Sequence, residues 1–276
     1  MKVIKYKKEL IEVLQGKEKR GLVPTMGALH QGHISLLIQA RQNNECLVSS
    51  LFVNPTQFTN PQDLEHYPRP LEQDLEILKK NGVDIAFVPD ASEIYRDPQP
   101  WHMELGNLDK VLEGISRPGH FQGVTQIVKI LFDLVKPDKA YFGLKDYQQF
   151  LVIKKLVEFY HLPLELVGCP IIREPDGLAM SSRNLHLSSK NRSEAIILFQ
   201  ALSRVYDQGR SQSPDQLRNL GRSLIERVPG IDVEYFDICD QGKLISLKQW
   251  TPNIEAIALV AARVGNTRLI DNMFLK

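Results

Sequence analysis

Three observations on this 276-residue chain predict an α/β fold: a doubly wound parallel sheet, Rossmann-like, with a smaller α+β domain at the C-terminus. Short apolar runs recur that barely alternate in polarity, the pattern of strands buried on both faces. Helical periodicity fills the gaps between them. Polar segments, several with glycine, stand directly after four of the runs, and open parallel sheets bind ligands outside the carboxyl ends of their strands.

The runs cover 22–24, 46–53, 83–88, 139–142 and 164–172, and the helical patterns 34–43, 71–81, 124–135 and 148–160. Strands alternating with helices imply a parallel sheet covered on both faces. Beyond residue 184 the pattern changes. A helix is expected over 193–206, and Ser213-Pro214-Asp215-Gln216 opens another, with a Ser/Gln capping box and proline at the first helical position. Strand-like runs follow at 233–238, 254–263 and 267–271, the last two joined by a Gly265-Asn266 hairpin turn. The expected domains are 1–174 and 175–276.

Composition narrows the function. The chain is 43% hydrophobic and 24% charged, with 34 basic and 33 acidic residues giving a formal net charge of +1. That balance argues against a generally basic nucleic-acid binder. Cys46, Cys169 and Cys239 are scattered, without C-x-x-C spacing, which speaks against a zinc site or disulfide framework and suits a reducing compartment. The N-terminal stretch has no apolar h-region, and no run approaches the ~18 apolar residues of a membrane span. The expectation is a cytoplasmic protein that binds neither membrane nor nucleic acid.

The segment Val23-Pro24-Thr25-Met26-Gly27-Ala28-Leu29-His30-Gln31-Gly32-His33 runs from a strand through a glycine turn into a helix N-terminus. Unpaired first-turn N–H groups and the helix dipole favour an anion there, and two imidazoles can add donors to phosphate oxygens. The bland alternative is a pair of capping histidines. In Arg173-Glu174-Pro175-Asp176-Gly177-Leu178-Ala179-Met180-Ser181-Ser182-Arg183-Asn184 a turn precedes two hydroxyls and a guanidinium; it is either a solvated linker or a loop that closes over a triphosphate. Gly143-Leu144-Lys145-Asp146-Tyr147-Gln148-Gln149 offers Lys145 as a point charge for phosphate, and Asp146 as helix cap or ligand contact. After the second run, Asn54 and Gln57 join Gln149 as amides able to hold a small hydroxy acid. Arg117 and His120 either line the site or fix their loop. Asp63, Glu65, His66, Tyr67 and Arg69 read as ordinary loop residues, Trp101 and Trp250 as packing.

Taken in order, PTMGALHQGH, FVNPTQF, EHYPR, RPGHFQGV, GLKDYQQ, DGLAMSSRN and the terminal RLIDN resemble the pantoate–β-alanine ligase family across nearly the whole chain. The H-x-G-H and Met-Ser-Ser-Arg segments alone resemble the wider class I synthetase and nucleotidyltransferase superfamily. The resemblance implies condensation of pantoate with β-alanine through pantoyl adenylate, with ATP as co-substrate and Mg²⁺, and a homodimer. It implies ATP contacts at Met26, Gly27, Ala28, Leu29, His30, Gln31, Gly32, His33, Gly143, Leu144, Lys145, Asp146, Ile172, Met180, Ser181, Ser182 and Arg183. It places His33 in the proton-donor position, supported by His30, Lys145 and Arg183, and pantoate on Gln57 and Gln149; Asn54 and Arg117 join them as candidate substrate contacts. No metal ligand is assigned.

The chain departs from the family pattern at Leu144, where glutamate is usual, and at Gln122, where arginine is common. Two other readings stay open: a nucleotidyltransferase that leaves AMP on its product, and a non-catalytic nucleotide-binding module. The first would need a phosphate acceptor site.

Overall fold

The structure is a computed structural model that describes residues 1–96 and 100–276. The chain divides into two compact units, one of Met1–Leu144 with Gln148–Pro170 and the other of Lys145–Tyr147 with Ile171–Lys276. The short turn Lys145–Tyr147 therefore groups with the C-terminal residues, which a single cut at 174/175 does not capture.

The first unit contains β1 (Lys2–Ile4), α1 (Lys7–Leu14), β2 (Arg20–Thr25), α2 (Gln31–Asn43), β3 (Cys46–Leu51), α3 (Pro61–Glu65), α4 (Leu71–Lys80), β4 (Ile85–Phe87), α5 (Ala91–Ile94), α6 (Glu113–Ser116), α7 (His120–Val135), β5 (Lys139–Gly143), α8 (Tyr147–Phe159) and β6 (Glu165–Cys169); Tyr147 itself falls to the second unit. Its six strands pair in parallel in the order β1-β4-β3-β2-β5-β6. The strand order reverses between β2 and β5, the place where such sheets open a crevice for ligands.

Five strands are expected from sequence, and β1 is the addition. It has three residues, and only Ile4 is buried, so it carries no apolar run to detect. The strand expected at 46–53 stops at Leu51 because Asn54 caps a 3₁₀ turn at Pro55–Gln57. The one expected at 164–172 stops at Cys169, before Pro170, which has no N–H for a ladder. Val23, Leu36, Leu37, Ala40, Leu47, Leu78, Ala86 and Tyr141 pack into one core cluster, which fastens α2 and α4 to the sheet.

The second unit contains α9 (Ser189–Glu194), α10 (Ile197–Gln208), α11 (Pro214–Glu226), β7 (Ile231–Asp240), β8 (Ala256–Val264) and β9 (Thr267–Leu275). Its strands form an antiparallel sheet in the order β7-β8-β9. The Ser213/Gln216 capping box forms in both directions, at 3.2 and 2.8 Å. Gly265, at φ +58°, opens the hairpin turn that pairs Val264 with Thr267. Leu198, Leu202, Leu217 and Phe236 lie in this unit's own core.

Leu37 is wholly buried where α2 meets the sheet. Leu37→Ala should cost about 2–5 kcal/mol of stability, read as a lower urea midpoint at unchanged slope.

Candidate active site

The loop that leaves β2 is set by backbone bonds to side chains. The Thr25 hydroxyl donates to the Ser50 carbonyl at 2.7 Å and accepts the Gly27 N–H at 3.3 Å. Gly27 and Ala28 both take positive φ, +86° and +51°. For alanine that backbone is strained, and the compensation comes from Asp74 on α4. One carboxylate oxygen accepts the Ala28 N–H and the other the Leu29 N–H, each at 2.8 Å. A Cβ on residue 27 would stand 2.9 Å from that carboxylate, so glycine is required on steric grounds as well. Burial raises the Asp74 carboxyl above the ordinary aspartate range, and the two backbone bonds oppose that only in part.

Sequence reading passed over Asp74. Its signal is positional: it lies four residues before the buried Leu78, where helical spacing calls for an apolar side chain.

The two histidines form a capping box at the start of α2. His30 Nδ1 accepts the Gly32 N–H at 3.1 Å, and His33 Nδ1 accepts the His30 N–H at 3.3 Å. A ring nitrogen that accepts from a backbone N–H carries no proton of its own. Each neutral imidazole is therefore held with its proton on Nε2, a fixed donor. The rings lie 4.1 Å apart between centroids. Capping and phosphate binding, alternatives in the sequence, are chemically compatible, because a cap made through Nδ1 puts the ring proton on Nε2.

Gln57 is 7% exposed in the turn after β3. Its side-chain oxygen accepts from Asn54 at 3.2 Å, and its amide nitrogen faces the Met26 sulfur at 2.9 Å. A thioether is a weak acceptor, so this donor is poorly served until a better oxygen arrives. The turn is fixed from several sides. His120 Nδ1 donates to the Gln57 main-chain carbonyl at 2.8 Å, Arg117 Nη2 donates to the same oxygen at 3.4 Å, and Arg117 Nη1 donates to His120 Nε2 at 3.0 Å. Gly123 on α7 lets the helix lie against this turn, since a Cβ there would sit 2.3 Å from the Thr56 carbonyl oxygen.

Two residues expected on the substrate have structural bonds in this geometry. Asn54, expected on the substrate, is 1% exposed and its amide is committed at both ends: the nitrogen to Gln57 and to the Gly123 carbonyl, the oxygen to Thr56 and to the Tyr95 hydroxyl. Arg117, expected on the substrate too, holds the Gln57 backbone. Both position Gln57. Gln148 and Gln149 separate in the same way. Gln148 is buried and bonded to Glu113, Leu108 and Val111, whereas the side chain of the half-buried Gln149 has no such set of partners among the described residues.

The departures from the family pattern also find places. Gln122 makes a two-way pair with the Met103 backbone, both bonds at 2.9 Å, so it pins a loop to α7. Leu144 packs over Gly168, where a Cβ would come within 2.7 Å of it.

In the second unit, Lys145 and Asp146 lie in a 3₁₀ turn, with Lys145 Nζ 3.8 Å from Asp146. Ile172 accepts the Met180 N–H at 3.0 Å, Arg173 bridges Ala179, and Gly177 at φ +96° makes the bend the sequence announces. This narrow hairpin delivers Met180 to Arg183. Ser181 accepts the Arg183 N–H at 3.2 Å and caps the 3₁₀ turn Ser182–His186. Among the described residues, no group of three or more His, Cys, Asp or Glu side chains is placed to hold a metal ion, and no helix is long and apolar enough to cross a membrane.

The family model of pantoate–β-alanine ligase matches residues 2–274. The chain belongs to the pantoate–β-alanine ligase family. A pantothenate synthetase of Bacteroides thetaiotaomicron is 44% identical over 281 residues, covering 100% of this chain and 99% of that one. One of Aquifex aeolicus is 46% identical, covering 94% and 91%. Among solved structures, the pantothenate synthetase of Thermus thermophilus superposes with TM-score 0.94 at 41% identity, covering 99% of both chains. A pantoate–β-alanine ligase of Francisella tularensis, solved with β,γ-ATP and β-alanine, gives TM-score 0.83 at 35% identity, covering 99% and 97%. The ligase family's α/β architecture is thus this chain's own.

Asp74 gives a pH signature with a definite sign. A carboxyl whose folded pKa is raised binds more protons folded than unfolded, so its contribution to stability falls as pH rises from about 4 through that raised value. Asp74→Asn removes the titration. Urea midpoints should show the wild type losing ground to Asp74→Asn across that window and running parallel to it above.

Proposed function

We propose that this chain condenses pantoate with β-alanine to pantothenate at the expense of ATP, through pantoyl adenylate, releasing AMP and pyrophosphate. The observation that carries the reading is the family match from residue 2 to 274, which spans every chemistry-bearing segment. The Francisella relative's complex with β,γ-ATP and β-alanine supports two of the three substrates.

The chemistry has two displacements. A pantoate carboxylate oxygen attacks the α-phosphorus of ATP, the bond to the bridging oxygen breaks, and pyrophosphate leaves. The amine of β-alanine then attacks the acyl carbon, gives up a proton, and AMP leaves with the acyl oxygen. In-line attack at phosphorus depends on position and charge neutralisation more than on covalent help.

His30 and His33 suit that demand as fixed Nε2–H donors at the α2 N-terminus. Proton transfer from Nε2 of His33 would make an imidazolate unless Nδ1 gave up its capping role, so we assign His33 to hydrogen bonding. Lys145 and Arg183 supply positive charge, with Ser181 and Ser182 as hydroxyl donors. Met26 to Gln31, Gly143, Leu144, Asp146, Ile172 and Met180 complete the assigned ATP contacts. Gln57 and Gln149 take pantoate. Magnesium would enter with the triphosphate, where it would neutralise phosphate charge; among the described residues no cluster of three or more His, Cys, Asp or Glu side chains is placed to hold it. The same reading makes the enzyme cytoplasmic and homodimeric.

An assay with ATP, pantoate and β-alanine should yield pantothenate and AMP, and pantoate should support ATP–pyrophosphate exchange without β-alanine. A product that retains AMP would instead favour the nucleotidyltransferase reading. Lys145→Ala should slow adenylate formation roughly 10²–10³-fold; a rate within threefold of wild type removes Lys145 from the chemistry. Gln57→Ala should raise the KM for pantoate far more than that for ATP, and equal effects on both would dissociate Gln57 from pantoate.

A further inference from the structure

The C-terminal RLIDN segment lies on β9, outside the residues assigned to ATP or pantoate. Its last two residues each bind a different functional segment of the same unit. Asn272 Nδ2 donates to the Lys145 main-chain carbonyl at 2.9 Å. Beside it, the Tyr147 ring meets Phe274 edge-on at 5.3 Å, and the Tyr147 hydroxyl donates to the Gln241 carbonyl at 3.1 Å. The Lys145 turn is thereby fastened to the C-terminal strands.

Asp271 is buried, and its carboxylate takes a two-pronged grip from Arg173, with Nη1 at 2.6 Å and Nη2 at 3.0 Å. The same guanidinium donates to the Gly177 carbonyl at 3.0 Å and the Asn272 carbonyl at 3.3 Å, and stacks over Phe199 at 4.6 Å. Arg173 is one leg of the hairpin whose other leg runs into Met180 and Ser181. A paired, bidentate guanidinium in a buried setting fixes geometry more than it adds stability.

We propose that Asp271 and Asn272 are positioning residues: one dipeptide sets the Lys145 turn through Asn272 and the stem of the Met180–Arg183 loop through Asp271 and Arg173. This rests on the reading that both segments act on the phosphates of ATP. Two groups that must meet one triphosphate gain from a common anchor, because an error in β9 then moves both together and leaves their spacing intact.

The test uses the full chain and two independent readouts. Amide hydrogen exchange reads the brace itself. Asp271→Asn should speed exchange over 172–183, and Asn272→Ala over 145–147, at least tenfold, with β7 and β8 still protected. Unchanged protection in those segments overturns the brace whatever happens to activity. Pantoate-dependent ATP–pyrophosphate exchange reads its purpose. Asn272→Ala should lower the maximal rate at least tenfold with the pantoate KM within twofold, and in a Lys145→Ala background the same substitution should cost less than twofold. An equal loss in both backgrounds, or a rate within twofold of wild type, overturns the assignment. If Asn272→Ala does not fold, Asn272→Leu makes the same comparison with similar bulk and no donor. A wild type without exchange activity, or Lys145→Ala at the wild-type rate, overturns the phosphate role of Lys145 and with it the purpose assigned to the brace; amide exchange still decides the brace.

Discussion

The arrangement after β2 depends on how the protein satisfies a short run of backbone N–H groups. Between Thr25 and His33 the chain turns from strand to helix with two residues at positive φ. A non-glycine residue held there costs on the order of 1–3 kcal/mol. Against it stand two hydrogen bonds to one buried carboxylate, Asp74 to Ala28 and Leu29, of a kind worth about 1.5–3 kcal/mol each. Burial of that carboxylate takes back part of this gain, so the two bonds fix the geometry of the loop more than they add net stability. Electrostatic stabilisation of a reacting phosphate needs donors that do not reorganise during the reaction, and a loop locked in this way meets that condition.

Throughout the site, what an atom already does for the fold determines what is left for chemistry. The imidazoles spend Nδ1 on the helix cap, which puts their ring proton on Nε2. Gln57 gives its main-chain carbonyl to His120 and Arg117, and among the described residues its side-chain nitrogen faces a sulfur. Gln148 is consumed by three backbone groups while its neighbour Gln149 is not. Asn54 looks like Gln57 in the sequence, an amide after the same strand, yet its saturated bonds make it a support. Residue type alone cannot separate these pairs, because the same amide chemistry serves both ends.

That is also the boundary of what is legible in the sequence. Near-continuous apolar runs expose the parallel sheet, and the Ser213 box and the Gly265-Asn266 turn are readable because their signals are local. The placement of His30, His33, Gln57 and Gly143 at strand ends follows from the same runs. The strand β1 is not readable, with one buried residue in three. Nor are Asp74, Gly123 and Asp271, whose partners lie 45, 67 and 98 residues away in Leu29, Thr56 and Arg173. Such residues betray themselves only by breaking a rule, as a carboxylate on a buried helical stripe does.

The exchange of the usual family glutamate for Leu144 can be argued on the same terms. The Leu144 side chain lies on Gly168, whose missing Cβ leaves room for it, and the same Cβ would also crowd Phe150 at 3.3 Å. The surface beneath position 144 is therefore glycine backbone with an aromatic ring close by. An apolar side chain gains from covering it, whereas a carboxylate laid there would give up hydration. Leucine thus favours a side chain turned onto the sheet. A charge lost from a side chain that faces Gly168 need not be a charge lost from the phosphates, and Lys145, the next residue, keeps its own.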